Sequence, residues 1–250
     1  MKPLGQFLEI PEDVEYEDLG ICPDCNKKTF LYDGVRVGCQ CELIKESQAQ
    51  INKQKAMGFA ANSIIPKTYK HKKLNDFKAQ NNSQHRAKNS AVDYILNFDE
   101  YLKDGKNLML QGMMGTGKTH IAASIRNALV ERNYKVFFIS FPEYMDMLKM
   151  SFDDSDKQHN TKRMISECEL LVIDDIGANR LTGFAIDELF KITDARIGAC
   201  TIYTTNMSAK DFEQSIEIKR AFSRMLENTE VITIDGDDYR RKQNDNQTRS

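Results

Sequence analysis

GMMGTGKT, residues 112–119, is a complete G-x-x-x-x-G-K-T. An apolar run, NLMLQ, precedes it, and a helical pattern, HIAASIRNALV, follows from His120. A glycine-rich turn between a strand and a helix is how a chain cradles phosphate. Gly112, Gly115 and Gly117 let the backbone curl so that its N–H groups point inward. Met113, Met114, Thr116 and His120 belong to the same nucleotide-binding stretch. Lys118 is placed to reach the β- and γ-phosphates of ATP, and the Thr119 hydroxyl to hold Mg²⁺. The helix N-terminus adds a field that favours anions. The competing reading is a chance glycine-rich turn, which the strand and helix on its two sides oppose.

Outward from this loop, short apolar runs alternate with helical stretches: KVFFISF, PEYMDMLKM, LLVID, GFAIDELFKITDARI, TIYTT, EIKRAFSRMLE and EVITI. Continuous apolar strands separated by helices predict an α/β fold, a parallel five-stranded sheet covered on both faces. Before the loop, SQHRAKNSAVDYILNFDEYLK has apolar residues at helical spacing, with Ser83 as the expected N-cap. LLVIDDIG, 170–177, ends in two carboxylates at the strand edge where open α/β sheets bind ligands. Asp174 is expected to hold Mg²⁺ through water, and Asp175 to polarise the attacking water. An Asp-Asp turn after a buried strand is the plainer alternative. TIYTTN ends in Asn206, which can orient water near the γ-phosphate or simply cap a turn.

Four of the six cysteines lie within residues 22–41, CPDCNKKTFLYDGVRVGCQC. The spacing is C-x-x-C (Cys22, Cys25), thirteen residues, then C-x-C (Cys39, Cys41). KTFLYDGVRVG reads as a β-hairpin about Asp33–Gly34. Two close pairs flanking a hairpin suit a tetrahedral Zn²⁺ ribbon, with binding energy acting as folding energy. C-x-C is tighter than the usual pair, so His71 or His85 stays open as the fourth ligand. A redox pair is the competing chemistry. Cys168 and Cys200 flank apolar strands and read as inert core residues.

Charge is nearly balanced, 35 Lys+Arg against 37 Asp+Glu, so bulk charge does not announce a nucleic-acid binder. Residues 45–88, however, hold ten Lys/Arg and two acids, a block that can attract phosphate or serve as a solvated linker. No apolar run approaches the ~18 residues of a membrane span. The start turns acidic where a signal peptide would be apolar, so a cytoplasmic protein without a membrane partner is expected. The organisation expected is a zinc-binding docking module at 1–66 and a basic linker at 67–82. An ATPase domain at 83–241 and a polar tail at 242–250 complete it. Within the first, ELIKESQAQINKQKAMGFAANSIIP reads as a helix ended by Pro66, with sparse apolar positions.

GMMGTGKT, LLVIDDIG and TTNM occur in the order of an AAA+ P-loop ATPase. The chain resembles, more closely, the DnaC/DnaI-type replicative helicase loaders and the related IstB transposition ATPase. The Asp-Asp ending is shared by that subgroup, where most AAA+ proteins have Asp-Glu. IKRAFSRMLENTEVITIDGDDYRR and I-P-x-x-Y, 65–69, are similar to loader segments. The resemblance implies that Arg224 is an arginine finger acting on a neighbouring subunit's γ-phosphate and that Arg220 supports it. It also implies that Arg240 is a second sensor arginine. The alternative for all three is a solvated amphipathic helix. The resemblance further implies a replicative DNA helicase and single-stranded DNA as partners, with self-association through the ATPase domain. Candidate DNA contacts are the Lys and aromatic residues at 67–73 and the segment FPEYMDMLKM. Asp175, one methylene shorter than Glu, suits slow hydrolysis and a switch. The cysteine module is then a docking surface, or helix 42–62 a mere spacer. Only about 16 residues follow EVITI, too few for an AAA+ lid bundle, so a DnaA-type initiator is not expected. Two other readings remain: an IstB-like transposition helper, for which the cysteine cluster would be unusual, and a non-hydrolysing nucleotide-binding adaptor.

Overall fold

The computed structural model describes residues 15–150, 155–179 and 181–239. The chain forms two compact units, Met1–Gln54 and Lys55–Ser250.

In the first unit, β1 (Glu17–Ile21), β2 (Lys28–Tyr32) and β3 (Val35–Val37) form an antiparallel sheet in that order. Asp33 and Gly34 join β2 to β3 with φ of 48° and 73°. Two consecutive left-handed residues give a turn whose twist matches the strands it joins. Phe30 faces Val37, and Tyr32 faces Val35. Little is buried here beyond Cys22 and Thr29. Such a sheet has almost no apolar core of its own. Helix α1 (Cys41–Asn62) begins at the last cysteine of the cluster and continues past Gln54. Only Ala56 and Phe59 along it are buried, in keeping with its sparse apolar pattern.

The second unit is built on five parallel strands: β4 (Asn107–Gln111), β5 (Val136–Ser140), β6 (Leu170–Ile176), β7 (Cys200–Thr205) and β8 (Thr229–Thr233). Their order is β5-β6-β7-β4-β8. The chain leaves β4, starts again at the far edge, and returns to place β8 on the other side of β4. That reversal opens a crevice beyond the carboxyl end of β4, the place where such sheets bind ligands. The strands are apolar on both faces because both are covered. Met109, Phe137, Ile139, Leu171, Ile173 and Tyr203 join one core. Their alternates Leu108, Leu110, Val136, Phe138, Leu170, Val172 and Ile202 join the other. Side chains alternate faces along a strand, so one apolar run feeds two cores.

Helices α2 (Asn82–Leu96), α3 (Phe98–Asp104) and α4 (Lys118–Glu131) supply the second core. Helices α5 (Phe141–Met150), α6 (Ser155–Glu167), α7 (Gly183–Ala195) and α8 (Ile216–Met225) supply the first. The open edge of β5 is occupied by the chain just after α1: Ile64 N–H donates to Phe138 O at 2.7 Å, and Phe138 N–H to Ser63 Oγ at 3.0 Å. Covering an edge removes a template for unwanted strand pairing. Among the described residues no helix is long and apolar enough to cross a membrane.

Four expectations change. The N-cap of α2 is Asn81, whose Oδ1 accepts from Gln84 N–H at 2.9 Å. Ser83 instead accepts from Asp235 N–H at 2.9 Å. The helical stretch also divides at Asn97 into α2 and α3. The segment 67–82, set apart by its lysines, is held in the second unit. Phe77 is buried in the second core, Tyr69 and Leu74 pack against it, and Asn127 Nδ2 donates to Tyr69 O and Lys72 O at 3.0 and 2.8 Å. Lys67, Lys70, Lys73 and Lys78 are exposed and Lys72 is half-buried beside the cavity, while Tyr69 and Phe77 pack inward. In FPEYMDMLKM, Phe141 and Tyr144 are buried, as are Met145, Met147 and Leu148, so those rings are not available for base stacking.

Candidate nucleotide site and cysteine cluster

Between β4 and α4 the loop 112–117 runs across the top of the sheet. Gly115 and Gly117 have φ of 77° and 101°, a region L side chains rarely adopt. Space is short as well as strain: a Cβ on Gly117 would lie 2.4 Å from the Phe77 ring, and one on Gly115 2.7 Å from Asp238 Cα. Lys118 is buried and donates to Gly112 O and Met113 O, both at 2.7 Å. Its ammonium therefore lies across the loop rather than in solvent. Thr116 Oγ1 donates to Met113 O at 2.9 Å and helps hold the curl.

The carboxylates meet the loop from β6. Asp174 is buried and accepts from Thr119 Oγ1 at 3.0 Å and from Thr204 Oγ1 at 2.6 Å. Burial, and then the charge of Asp175, push the Asp174 carboxyl from its ordinary 3.8 up to about 6, while the two threonine hydroxyls and Lys118 pull the other way. Asp175 is exposed, and its φ is 58°. The β6–β7 register shifts between Ile173 and Ile176, so the strand bends where the two carboxylates stand.

A cavity of about 690 Å³ is lined by residues 114–120, Asp174, Asp175 and Asn206. Gly112 and Met113 stand behind that wall, as the carbonyls that accept from Lys118. His120 packs edge-on against Phe77 with ring centroids 5.6 Å apart, and its Nε2 lies 3.3 Å from Lys73 O. Its desolvation lowers its pKa.

Arg220 and Arg224 are not on this cavity. Both are exposed on α8. Arg224 Nε lies 3.3 Å from Asp194 Oδ1, and the Arg220 guanidinium sits over the Phe190 ring, 5.1 Å from its centroid. Arg240 lies outside the described residues. Sequence reasoning missed part of the cavity wall: Thr68, Tyr69, Phe77 and Gln84 before the loop in sequence, Asp237 and Tyr239 after β8. The I-P-x-x-Y signal pointed at the first group without showing that it faces the loop. Thr204 was missed too, since a threonine in a strand reads as a β-branched strand former.

In the first unit, the sulfurs of Cys22, Cys25, Cys39 and Cys41 all lie within 4.8 Å of one another. Four thiolates on a tetrahedral Zn²⁺ at ~2.3 Å would lie about 3.8 Å apart, so the group has the right size. Among the described residues the group includes Cys41 and no histidine. Cys22 O accepts from Asn26 N–H at 2.9 Å, and Cys41 N–H lies 3.4 Å from Cys39 Sγ. The Asp24 and Cys25 backbone amides hold the Cys22 thiol down to about 7, whereas the neighbouring thiols of Cys25 and Cys39 push Cys41 up to about 12. Crowded thiols that resist losing several protons are what a divalent cation would relieve. Cys168 and Cys200 are buried and unpaired by disulfide, as core residues.

The profile of the IstB-like ATP binding proteins matches residues 42–247. The chain belongs to that family. This IstB-like protein is 29% identical over 157 residues to the uncharacterized protein YdaV of Escherichia coli (strain K12), a match covering 63% of this chain and 61% of the relative. It is 28% identical over 163 residues to the replicative helicase loader DnaI of Bacillus subtilis (strain 168), covering 60% and 52%. The chain thus spans about three fifths and one half of those two relatives' lengths. A crystal structure of DnaI superposes with a TM-score of 0.59 at 25% identity, covering 70% of this chain and 94% of that one. The resemblance to loaders read from the motifs therefore holds, as does the AAA+ P-loop ATPase fold.

Proposed function

We propose that this IstB-like protein is an ATP-switched loader that brings a replicative DNA helicase to single-stranded DNA. The observation that carries the nucleotide half is the Thr119–Asp174 hydrogen bond, which ties the phosphate loop to the paired carboxylates around one cavity. Lys118 would leave the loop carbonyls in part to meet the β- and γ-phosphates, and the loop N–H groups would take the remaining oxygens. Mg²⁺ held by Thr119 and, through water, by Asp174 would neutralise charge between those phosphates. Asp175 would polarise the attacking water and Asn206 would orient it. Arg224 would act in trans on a neighbouring copy, with Arg220 beside it and Arg240 as second sensor. The exposed position of Arg224, away from its own cavity, supports that reading. An arginine supplied this way can be worth ~10³–10⁵ in rate.

The loader half rests on the four gathered sulfurs together with the loader relatives. Zn²⁺ on Cys22, Cys25, Cys39 and Cys41 would fold a module too small to stand on apolar packing, and that module would grip the helicase. Exposed Leu43, Ile44, Ile51 and Met57 on α1 are candidate contacts. The lysines at 67–73 are the remaining candidates for DNA. The transposition-helper reading shares the ATPase and keeps the family's name, but leaves the cysteine module without a task. A turnover assay on wild type, Lys118→Ala and Arg224→Ala tests the enzyme. Nucleotide bound without turnover by wild type would favour the adaptor and remove the switch.

A further inference from the structure

We infer that Thr204 is a positioning residue for hydrolysis, its hydroxyl locking the two carboxylates of β6 into one arrangement at the cavity. The inference rests on the ATPase reading above. Thr204 is fully buried on β7. Its hydroxyl proton goes to Asp174 Oδ1 at 2.6 Å, and its oxygen accepts from Asp175 N–H at 2.9 Å. One side chain thus holds the carboxylate of one residue and the backbone of the next.

The backbone it holds is unusual. Asp175 is a non-glycine residue at φ 58°, in the stretch where the β6–β7 register shifts. Where the register shifts, the Thr204 hydroxyl oxygen takes the Asp175 N–H. The next threonine completes the staple: Thr205 Oγ1 donates to Ile176 O at 2.8 Å and accepts from Met207 N–H at 3.0 Å. The bend in β6 is therefore pinned on both sides of Asp175 by consecutive hydroxyls of β7. Asn206 follows them on the same segment, so one strand fixes both groups expected to face the reacting water. Removing the Thr204 hydroxyl leaves the Asp175 amide without this acceptor and lets the left-handed residue relax. The Asp175 carboxylate would then lose its fixed direction, while the phosphate loop, held by its own contacts, would not.

The test uses the full-length protein with Mg²⁺-ATP, comparing wild type, Thr204→Val and Thr204→Ser for kcat, KM and ADP affinity. Valine keeps the shape without the hydroxyl, and serine keeps the hydroxyl. Thr204→Val is expected to lose about 10–100-fold in kcat with KM and ADP affinity changed less than ~3-fold, and Thr204→Ser to recover most of the rate. Turnover by Thr204→Val equal to wild type would overturn the inference alone. So would a serine variant as slow as the valine one, or kcat and ADP affinity falling together as in a misfolded site. A wild type that binds ADP but does not turn over ATP would overturn the ATPase reading, and this inference with it.

Discussion

Thr119 Oγ1 donates a 3.0 Å hydrogen bond to Asp174 Oδ1 across 55 residues of sequence. The last residue of the phosphate loop and the first carboxylate of β6 are thereby already paired, at the place where a magnesium ion would be shared. The carboxylate is buried, so its charge is costly in the absence of a cation.

That cost gives a prediction with a sign. Asp174 holds its proton more tightly when folded, its pKa standing at about 6 rather than 3.8. The folded chain therefore binds more protons than the unfolded one across that window, and stability falls as pH rises through it. Above about pH 6 the penalty is fully present, on the order of 3 kcal/mol. Without Mg²⁺ at pH 8, Asp174→Asn is expected to melt several degrees above wild type. The gain should vanish toward pH 4, while ATP turnover is lost. Thermal unfolding at both pH values checks it, and a destabilised Asn variant at pH 8 would contradict it.

Asp175 occupies the left-handed region, which Asp and Asn tolerate better than other side chains. This offers a backbone reason for Asp where most AAA+ proteins carry Glu. Asp175→Asn should fold and bind nucleotide normally with turnover down ~100-fold or more. Asp175→Glu should lose about 1 kcal/mol of stability. Urea unfolding of the pair is the check, and equal midpoints would remove the backbone explanation.

Arg224 is expected to serve another copy's site. Alone, Arg224→Ala and Lys118→Ala should each bring turnover near background. Mixed, they should regain part of it, because an intact Arg224 from the lysine variant can face an intact loop in the arginine variant. Mixtures no faster than either component would argue that Arg224 does not act in trans.

Arg196 is buried with no carboxylate partner among the described residues, yet it donates to Ile165 O at 3.0 Å, Cys168 O at 2.8 Å and Cys200 O at 2.5 Å. It joins the ends of α6 and α7 to the start of β7. Lysine cannot reproduce a planar fork, so Arg196→Lys should cost about 2–4 kcal/mol through unpaired carbonyls and an under-satisfied cation. Chemical denaturation measures this directly, and a loss below the error of the method would refute it.

The zinc assignment predicts one Zn²⁺ per chain by elemental analysis. Cys41→Ser should weaken retention against a chelator as strongly as Cys22→Ser. A Cys41 variant that keeps its metal as wild type does would return the fourth position to another ligand.

The sheet was legible because each parallel strand is an apolar run between helices, and GMMGTGKT marked the strand-to-helix turn at which the cavity stands. What escaped had local reasons. Strand β1 is exposed at all five residues, so no alternation marks it. Helix α6 is mostly polar and follows residues with no apolar period. Segment 67–82 advertised its lysines, while Tyr69 and Phe77, the residues that pack, are few. Asn81 and Ser83 are both good caps, and only the contact of Ser83 with Asp235 decides between them. Thr204 carries no signal at all, since its role depends on a bend in a different strand.

The most direct test of the loader account is the mass of the complex formed by the full-length, zinc-loaded protein with a replicative DNA helicase in Mg²⁺-ATP. A defined assembly at micromolar concentration is expected, lost when Cys22 and Cys25 are both changed to Ser. Two species that migrate independently, with zinc bound and the helicase intact, would contradict it.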